Sequence, residues 1–411
     1  MAKYKSDYDL NYMEAQSRCG STEINASIFE NIFKNNDIIN FEQLLEKLVM
    51  CDNTTFNKLI MSIIYAKLGQ PKNASRLITT HKIYHLVSNK INYANNADLN
   101  LTNPRGIVVY DNKFWIANNI LCNYDLCGNQ LWVANDTLHS YDLVGNKLIL
   151  SDSVRNPDCS TDVCINPGCD FKISITRRPV ELLMCTKNGM VHGYNSKLNP
   201  NETYVLLNNQ QKSAMYTGLA VANNILYLAN FSQNKIEAYD CNYNRMTSYE
   251  FVDLDMSDPI PGDYSVVNIK CIGCYLYVVY VKRNAYMSVT EEPGCGYISQ
   301  FNLNGSFVRR FISRQVLNSP WAIIPAPVSE GIPPSSILVG NSGDGRINIF
   351  DCDGKYIGPL FSSSGLPVSI RGLRGMAPYY TDINQIFVTS YSNQDECGLI
   401  SSIANDQVIR I

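Results

Sequence analysis

Residues 337–351 read ILVGNSGDGRINIFD, and this stretch decides the fold. Two apolar runs flank Gly343-Asp344-Gly345, a pattern typical of two antiparallel strands joined by a tight turn. The same strand–turn–strand pattern recurs along the chain, for example in residues 218–230 with Asn223-Asn224 at the turn. The chain from about residue 77 onward is therefore predicted to consist of β-hairpins.

Laying these hairpins side by side shows a repeat in the chain. Six segments open with a predicted inner strand, at Pro104, Pro179, Tyr216, Val267, Pro320 and Arg371. Reference positions 105, 180, 218, 268, 321 and 372 give intervals of 75, 38, 50, 53 and 51 residues. Most of these are near the roughly 40–50 residues of one four-stranded blade. Several second strands also end in a polar residue: Asn118, Asn230, Tyr280, Asn341 and Ser390. The repeat predicts an all-β six-bladed β-propeller over residues 77–411.

The long first interval contains an internal duplication. WIANN at 115–119 recurs as WVAND at 132–136, an offset of 17 residues. This offset is too short for a blade and suits one extra hairpin. We predict an inserted hairpin followed by a cysteine-rich loop, together covering about residues 115–170.

Residues 1–76 show a different pattern. Apolar residues recur at helical spacing in three segments, and Gly69-Gln70-Pro71 is a typical stop signal. The sequence therefore predicts a small N-terminal α-helical domain in front of the propeller.

Composition excludes several classes of protein. The chain has 411 residues, 45% of them hydrophobic, and a formal net charge of −3. That balance does not provide the positive field of a nucleic-acid binder. No window of about 18 apolar residues predicts a membrane span, and the N-terminus lacks the apolar core of a secretory signal.

The motifs around the predicted inner strands resemble a known family. Residues 337–351, SPWA at 319–322 and YTGL at 216–219 are similar to motifs of uncharacterised bacterial-type six-bladed propellers of the NHL/SMP-30-like kind. That family carries "NPWG" and "GNFGDGRIN" motifs and has no assigned activity. Arg105 stands where its usual Trp would be, and Glu181 replaces a usual Gly.

The abundance of Asn, Ile and Tyr is typical of an AT-rich genome. Together with the added N-terminal segment and the missing secretory signal, it indicates a protein of a giant DNA virus. Such a protein is expected in the virion or in the host cytoplasm.

Propeller ligands bind over the central channel, where inner strands converge. The register predicts six channel residues: Arg105, Glu181, Asn268, Trp321, Arg371 and Arg374. In one interpretation, Glu181 neutralises the arginines and plugs the channel; in another, the same residues bind a small anion or a sugar. Related lactonase propellers hold a divalent metal there with Glu, Asp and Asn, but three arginines would repel a cation. We therefore expect no cofactor, with a channel Ca²⁺ as the alternative.

The cysteines allow several interpretations. Cys159, Cys164 and Cys169 repeat every five residues, which matches no common zinc pattern and leaves either free thiols or a disulfide. Cys271 and Cys274 form a CxxC between two apolar runs, so we interpret this motif as a hairpin.

These observations favour a non-catalytic interaction or structural protein, associated with the virion. It would bind a protein partner or a second copy through the N-terminal helices. The alternatives are a metal-dependent sugar-lactone-type hydrolase and a carbohydrate-binding propeller.

Overall fold

The computed structural model describes residues 77–88, 101, 103–111, 113–118, 137–144, 147–156, 159–168, 170–327, 332–379, 385–392 and 397–410. These residues form six mainly antiparallel sheets. The innermost strands of the sheets contact one another in a closed cycle, from the first sheet round to the sixth and back to the first. The predicted all-β six-bladed propeller is therefore confirmed.

The strands of the first three blades follow one another along the chain. Blade 1 contains β2 (Pro104–Tyr110), β3 (Lys113–Asn118), β4 (Thr137–Val144) and β5 (Lys147–Arg155). Blade 2 contains β6 (Ser160–Ile165), β7 (Leu182–Thr186), β8 (Met190–Tyr194) and β9 (Tyr204–Asn208). Blade 3 contains β10 (Tyr216–Ala222), β11 (Ile225–Asn230) and β12 (Lys235–Tyr239), after a 3₁₀ helix at Gln210–Lys212.

The remaining blades complete the ring. Blade 4 contains β13 (Tyr264–Ile272), β14 (Tyr275–Lys282), β15 (Tyr297–Asn302) and β16 (Phe307–Ser313). Blade 5 contains β17 (Pro320–Pro325), β18 (Ile337–Asn341), β19 (Ile347–Phe350) and β20 (Tyr356–Pro359). Blade 6 contains β22 (Leu373–Pro378), β23 (Gln385–Ser392), β24 (Cys397–Arg410) and β1 (Leu77–Ser88), with the short β21 (Phe361–Ser362) at its edge.

Strand β1 closes the ring. It is the earliest strand of the described chain, yet it lies in blade 6, antiparallel to β24 from Leu77–Arg410 through Ser88–Leu399. Blade 6 therefore joins the two ends of the propeller by backbone hydrogen bonds. Since closure removes the free edges that an open ring would expose, this strand is central to the stability of the fold.

The hydrophobic core is divided among the blade interfaces. Six clusters of buried side chains are present, and each one combines residues from two neighbouring blades. Phe114 of blade 1 stacks on Phe387 of blade 6 with ring centroids 4.1 Å apart, so the closing interface is packed like the others. The core of each interface depends on both of its blades being folded.

The structure corrects the predicted second blade. Its inner strand is Ser160–Ile165 rather than the segment at Pro179-Val180-Glu181. Residues 147–155, which lie within the predicted insertion, form the outer strand of blade 1. Regular blade strands at 137–144, 147–155 and 160–165 lie within the predicted insertion of about 115–170, so these parts of it belong to blades 1 and 2. The second copy of the duplicated motif, 132–136, and the predicted helical domain, 1–76, lie outside the described residues.

Two predicted turns are confirmed, one with a shift. Asn223 and Asn224 have φ angles of 48° and 57°, the left-handed values that a two-residue hairpin turn needs. The CxxC is also a hairpin, but its turn is Gly273-Cys274 rather than Ile272-Gly273, because Ile272 pairs with Tyr275.

The disulfide alternative is wrong for Cys159 and Cys164, since no two cysteines in the described part of the chain lie at disulfide distance. The reason is that Cys159 immediately precedes β6 and Cys164 lies near its other end. Five residues of extended chain separate their Cα atoms by roughly 16 Å, far beyond disulfide reach. Cys169 lies outside the described residues.

A buried carboxylate organises blade 3. Glu237 accepts hydrogen bonds from the hydroxyls of Tyr216 at 2.8 Å and Tyr239 at 2.7 Å, and from the Asn230 amide at 3.0 Å. Lys235 adds an ion pair at 3.2 Å. Burial alone would raise the pKa of Glu237, but these donors hold it below its ordinary value.

We expect Glu237→Gln to destabilise the protein by about 2–3 kcal/mol at pH 7, since the charged acceptor strengthens its hydrogen bonds. Because the folded-state pKa is lowered, this contribution is complete above the unfolded pKa of about 4.3. It disappears as pH falls further through the folded value. Urea unfolding of both proteins between pH 7 and pH 3 measures the difference.

The matched control for this prediction is Glu202→Gln. Glu202 is half-exposed, and its ion pair with Arg155 is long, at 3.7 Å. Its loss should therefore change the unfolding free energy by less than about 1 kcal/mol. An equal effect of the two substitutions, or a Glu237 effect that does not change with pH, would contradict the account.

Candidate functional site

Every inner strand carries a β-bulge at the same register. In each blade the pairing with the second strand shifts by one residue near the start of the inner strand. The bulge positions are Arg105, Thr161, Thr217, Val267, Trp321 and Arg374. Positions 105, 161, 217, 267, 321 and 374 give intervals of 56, 56, 50, 54 and 53 residues, more even than the predicted ones. The bulges put six equivalent residues at the same end of the six inner strands, and we call this end of the channel the mouth.

The next residue of each inner strand packs where the strands converge. These residues are Gly106, Asp162, Gly218, Asn268, Ala322 and Gly375. A Cβ on Gly106 would collide with the Asp162 carboxylate, and one on Gly218 would collide with the Asn268 amide. Two glycines therefore leave the space that two polar side chains fill.

Asp162 spans three blades through its carboxylate. It accepts hydrogen bonds from its neighbour Val163 N–H at 3.0 Å and from Leu219 N–H of blade 3 at 3.2 Å. It also binds the Lys270 ammonium of blade 4 at 2.6 Å. The Asp162 side chain is 7% exposed and that of Lys270 26%. Burial would lower the pKa of Lys270, but the Asp162 carboxylate outweighs it and raises the pKa.

Asn268 on β13 performs a similar task between blades 4 and 5. Its amide donates to the Trp321 carbonyl at 2.8 Å, and its oxygen accepts from Ile269 N–H at 2.8 Å. Asn268 thereby links the inner strands of blades 4 and 5 and fixes the backbone that carries Trp321. Both polar atoms of the Asn268 amide are occupied by the backbone.

Two arginines meet at Trp321. The guanidinium carbon of Arg374 lies 4.5 Å from the Trp321 ring centroid, and that of Arg105 lies 5.8 Å from it. We call Arg105, Trp321 and Arg374 the mouth cluster. Burial lowers the pKa of Arg105 to about 10, and burial together with the charge of Arg105 lowers the pKa of Arg374 to about 9. The mouth of the channel is therefore strongly cationic.

The other two predicted channel residues lie elsewhere. Arg371 is exposed on the connection before β22. Glu181 lies beside Asn166, at the end of β6 opposite to the mouth, and its carboxylate accepts from Ser196 N–H at 2.9 Å and the Ser196 hydroxyl at 3.0 Å. The prediction that Glu181 lies on an inner strand and neutralises the arginines is wrong, because β6 occupies the inner position.

The sequence reasoning missed Asp162 and Lys270. One signal was available: Ser160-Thr161-Asp162 lies exactly 56 residues before Tyr216-Thr217-Gly218 and shares its central Thr. Lys270 carried no signal, since its role depends on a partner 108 residues away in the chain.

The asparagines that end the second strands brace connections. Asn118 and Asn230 accept from the backbone N–H groups of Asn103 at 3.0 Å and Met215 at 3.2 Å. The Asn341 amide donates to the Val316 carbonyl at 2.8 Å. These side chains hold the entries to the inner strands in place.

The described ranges contain no group of three or more His, Cys, Asp and Glu side chains arranged to hold a metal ion. No helix in them is long and apolar enough to cross a membrane.

Comparison with known proteins places this geometry in a family. An uncharacterised protein of Acanthamoeba polyphaga mimivirus is 48% identical over 352 residues, which cover 83% of this chain and 84% of the relative. A second uncharacterised protein of the same virus is 45% identical, over 82% of this chain and 90% of the relative. This chain belongs to that mimivirus protein family. A third mimivirus protein is 36% identical over 55% of this chain and 43% of its own length.

Solved structures resemble this chain in fold. A protein of unknown function from Bacteroides thetaiotaomicron has a TM-score of 0.51 at 10% identity, over 80% of this chain and 76% of its own. An auxiliary nutrient binding protein from Bacteroides ovatus has a TM-score of 0.51 at 11% identity, over 80% and 78%. At these identities the likeness shows the fold alone. No known protein-family profile matches the chain.

Proposed function

We propose that this chain is a non-catalytic β-propeller that binds a partner, as a virion-associated component of a giant virus. The observation that carries the proposal is the state of the channel carboxylate. Asp162 is bound to Lys270 at 2.6 Å and to two backbone N–H groups. With these partners, the Asp162 carboxylate links blades 2, 3 and 4.

The alternative of a metal-dependent sugar-lactone-type hydrolase fits the channel less well. A divalent cation at Asp162 would have to displace Lys270, which binds the carboxylate at 2.6 Å. Two cations at one partly buried carboxylate repel each other strongly. We therefore expect no lactone turnover by the purified protein with added Ca²⁺ or Zn²⁺, and no loss of any background rate in Asp162→Asn.

A glycan ligand and self-association through residues 1–76 are further parts of this proposal. The virus relatives support the setting, since three similar proteins in one virus are consistent with one scaffold adapted to several partners.

Mass spectrometry of purified virions tests the proposed location. We expect peptides from the chain in virions at a constant ratio to a major capsid protein after gradient purification and protease treatment of the particle surface. A virus-encoded cytoplasmic enzyme serves as the contamination control. Detection of the chain in infected cells but never in virions would overturn the virion assignment.

A further inference from the structure

The mouth cluster contains hydrogen-bond donors that no described group satisfies. Arg105 Nε, Arg374 Nε and Arg374 Nη1 are buried and have no hydrogen-bond partner among the described residues. None of the ion pairs between described residues includes either arginine. Buried donors are almost always hydrogen-bonded in folded proteins, so we expect these three atoms to donate to an acceptor that the chain itself does not supply.

Two guanidinium groups that contact one Trp ring without a counter-charge destabilise the fold. Their mutual repulsion and their removal from water are visible in the lowered pKa of Arg374. Glu291 is the acidic residue whose charge raises the pKa of Arg374, and it is exposed. Buried charges with strongly shifted pKa values cluster at functional sites.

The cluster is held in place before any ligand arrives. Trp321 is buried in the interface between blades 4 and 5, and Asn268 fixes its carbonyl at 2.8 Å. Its ring orients both guanidinium planes by cation–π contact. The two arginines come from adjacent inner strands, β2 and β22, which form part of the closed ring.

We infer that the mouth cluster is a binding site for a doubly charged oxyanion, a phosphate or sulfate group. Two guanidinium groups match two negative charges, and their N–H groups suit the several acceptor oxygens of a tetrahedral oxyanion. The Asp162–Lys270 pair is already neutral and needs no further charge.

Calorimetric titration of the full-length chain tests this inference. The probes are inorganic phosphate, inorganic sulfate, methyl phosphate and acetate, in Tris-chloride buffer at constant ionic strength. We expect saturable one-to-one binding of phosphate and sulfate, and a rise in Tm with each. Acetate should bind at least roughly tenfold more weakly, because it offers one charge to two guanidinium groups. Methyl phosphate separates the sources: tight binding indicates an ester group, and exclusion indicates the free ion.

Two variants and one control identify the residues. Arg374→Met and Arg105→Met should each weaken phosphate binding roughly tenfold or more, since each removes charge-assisted hydrogen bonds. Arg371→Gln removes the same charge from the exposed connection three residues away and should change the affinity by less than about twofold. Circular dichroism establishes that each variant is folded.

A second readout separates a ligand site from a structural role. Without added anion, Arg374→Met should unfold at the same or a higher temperature than the wild type, because it removes an uncompensated charge. It should also lose the phosphate-dependent rise in Tm. The inference is overturned if the wild type binds neither phosphate nor sulfate, if acetate binds as tightly as they do, or if Arg371→Gln weakens binding as much as Arg374→Met. None of these results bears on the presence of the chain in virions.

Discussion

A chain that lacks β1, the strand Leu77–Ser88, will fail to form a closed ring. A fragment of residues 89–411 should show no cooperative thermal transition and should aggregate, whereas a fragment of residues 77–411 should unfold cooperatively. The reason is that β24 would lose β1, one of its two antiparallel partners, along Leu399–Arg410 and would keep β23 only over Cys397–Ala404. Its exposed backbone groups would then be free to pair with other chains. Blade 6 would also lose Leu86, which is 5% exposed and packs in the interface with blade 1.

Circular dichroism and size-exclusion chromatography of the two fragments make the measurement. A synthetic peptide of residues 77–88, added in trans, should restore part of the cooperative transition, and a peptide of the same composition in scrambled order should not. A cooperative transition of fragment 89–411 equal to that of fragment 77–411 would show that β1 does not close the ring.

Breaking the ion pair in the channel should have the largest effect of any single substitution. We expect Asp162→Ala to destabilise the protein by about 3–5 kcal/mol, because it leaves Lys270 as an uncompensated, largely buried charge. The same substitution removes the acceptor of the Leu219 N–H group, which donates to the Asp162 carboxylate at 3.2 Å. Lys270→Met should cost less, because the two backbone N–H groups continue to stabilise the carboxylate.

A double-mutant cycle with both substitutions isolates the pair. We expect the two single effects to sum to at least roughly 1–2 kcal/mol more than the effect of the double variant, as found for residues in direct contact. Lys113→Met is the matched control, since Lys113 and Asp152 are 2.7 Å apart but 29% and 44% exposed. It should cost less than about 1 kcal/mol. Additive effects at Asp162 and Lys270 would contradict the role assigned to the pair.

Most of the fold could be predicted from local signals. The sequence pattern locates five of the six inner strands, because each of these begins near a Pro or Gly or opens a clear hairpin, as at Pro320. The second blade was missed for a physical reason: Ser160–Ile165 has neither residue, and the bridge between Lys172 and Pro179 places Pro179 in a connection. Strand β1 in blade 6 depends on a partner more than three hundred residues away.

The candidate site was predictable only where it follows the repeat. Arg105, Trp321 and Arg374 occupy the bulge of an inner strand, and this register recurs in every blade. The Asp162–Lys270 pair breaks the repeat, because it joins blades 2 and 4 past the inner strand of blade 3, where Lys270 also donates to the Leu219 carbonyl at 3.3 Å. Contacts between non-adjacent blades are set by ring closure, and the sequence of one blade does not encode them.

One crystal structure tests the central claim, that two arginines at the mouth lack a counter-charge while Lys270 occupies the channel carboxylate of Asp162. Crystals of the full-length chain would be grown with both calcium chloride and sodium sulfate, and anomalous scattering would identify the ions. The account predicts sulfate against Arg105 and Arg374 over Trp321, with Asp162 still bound to Lys270. A calcium ion on Asp162, with Lys270 displaced and no anion at the mouth, would contradict it.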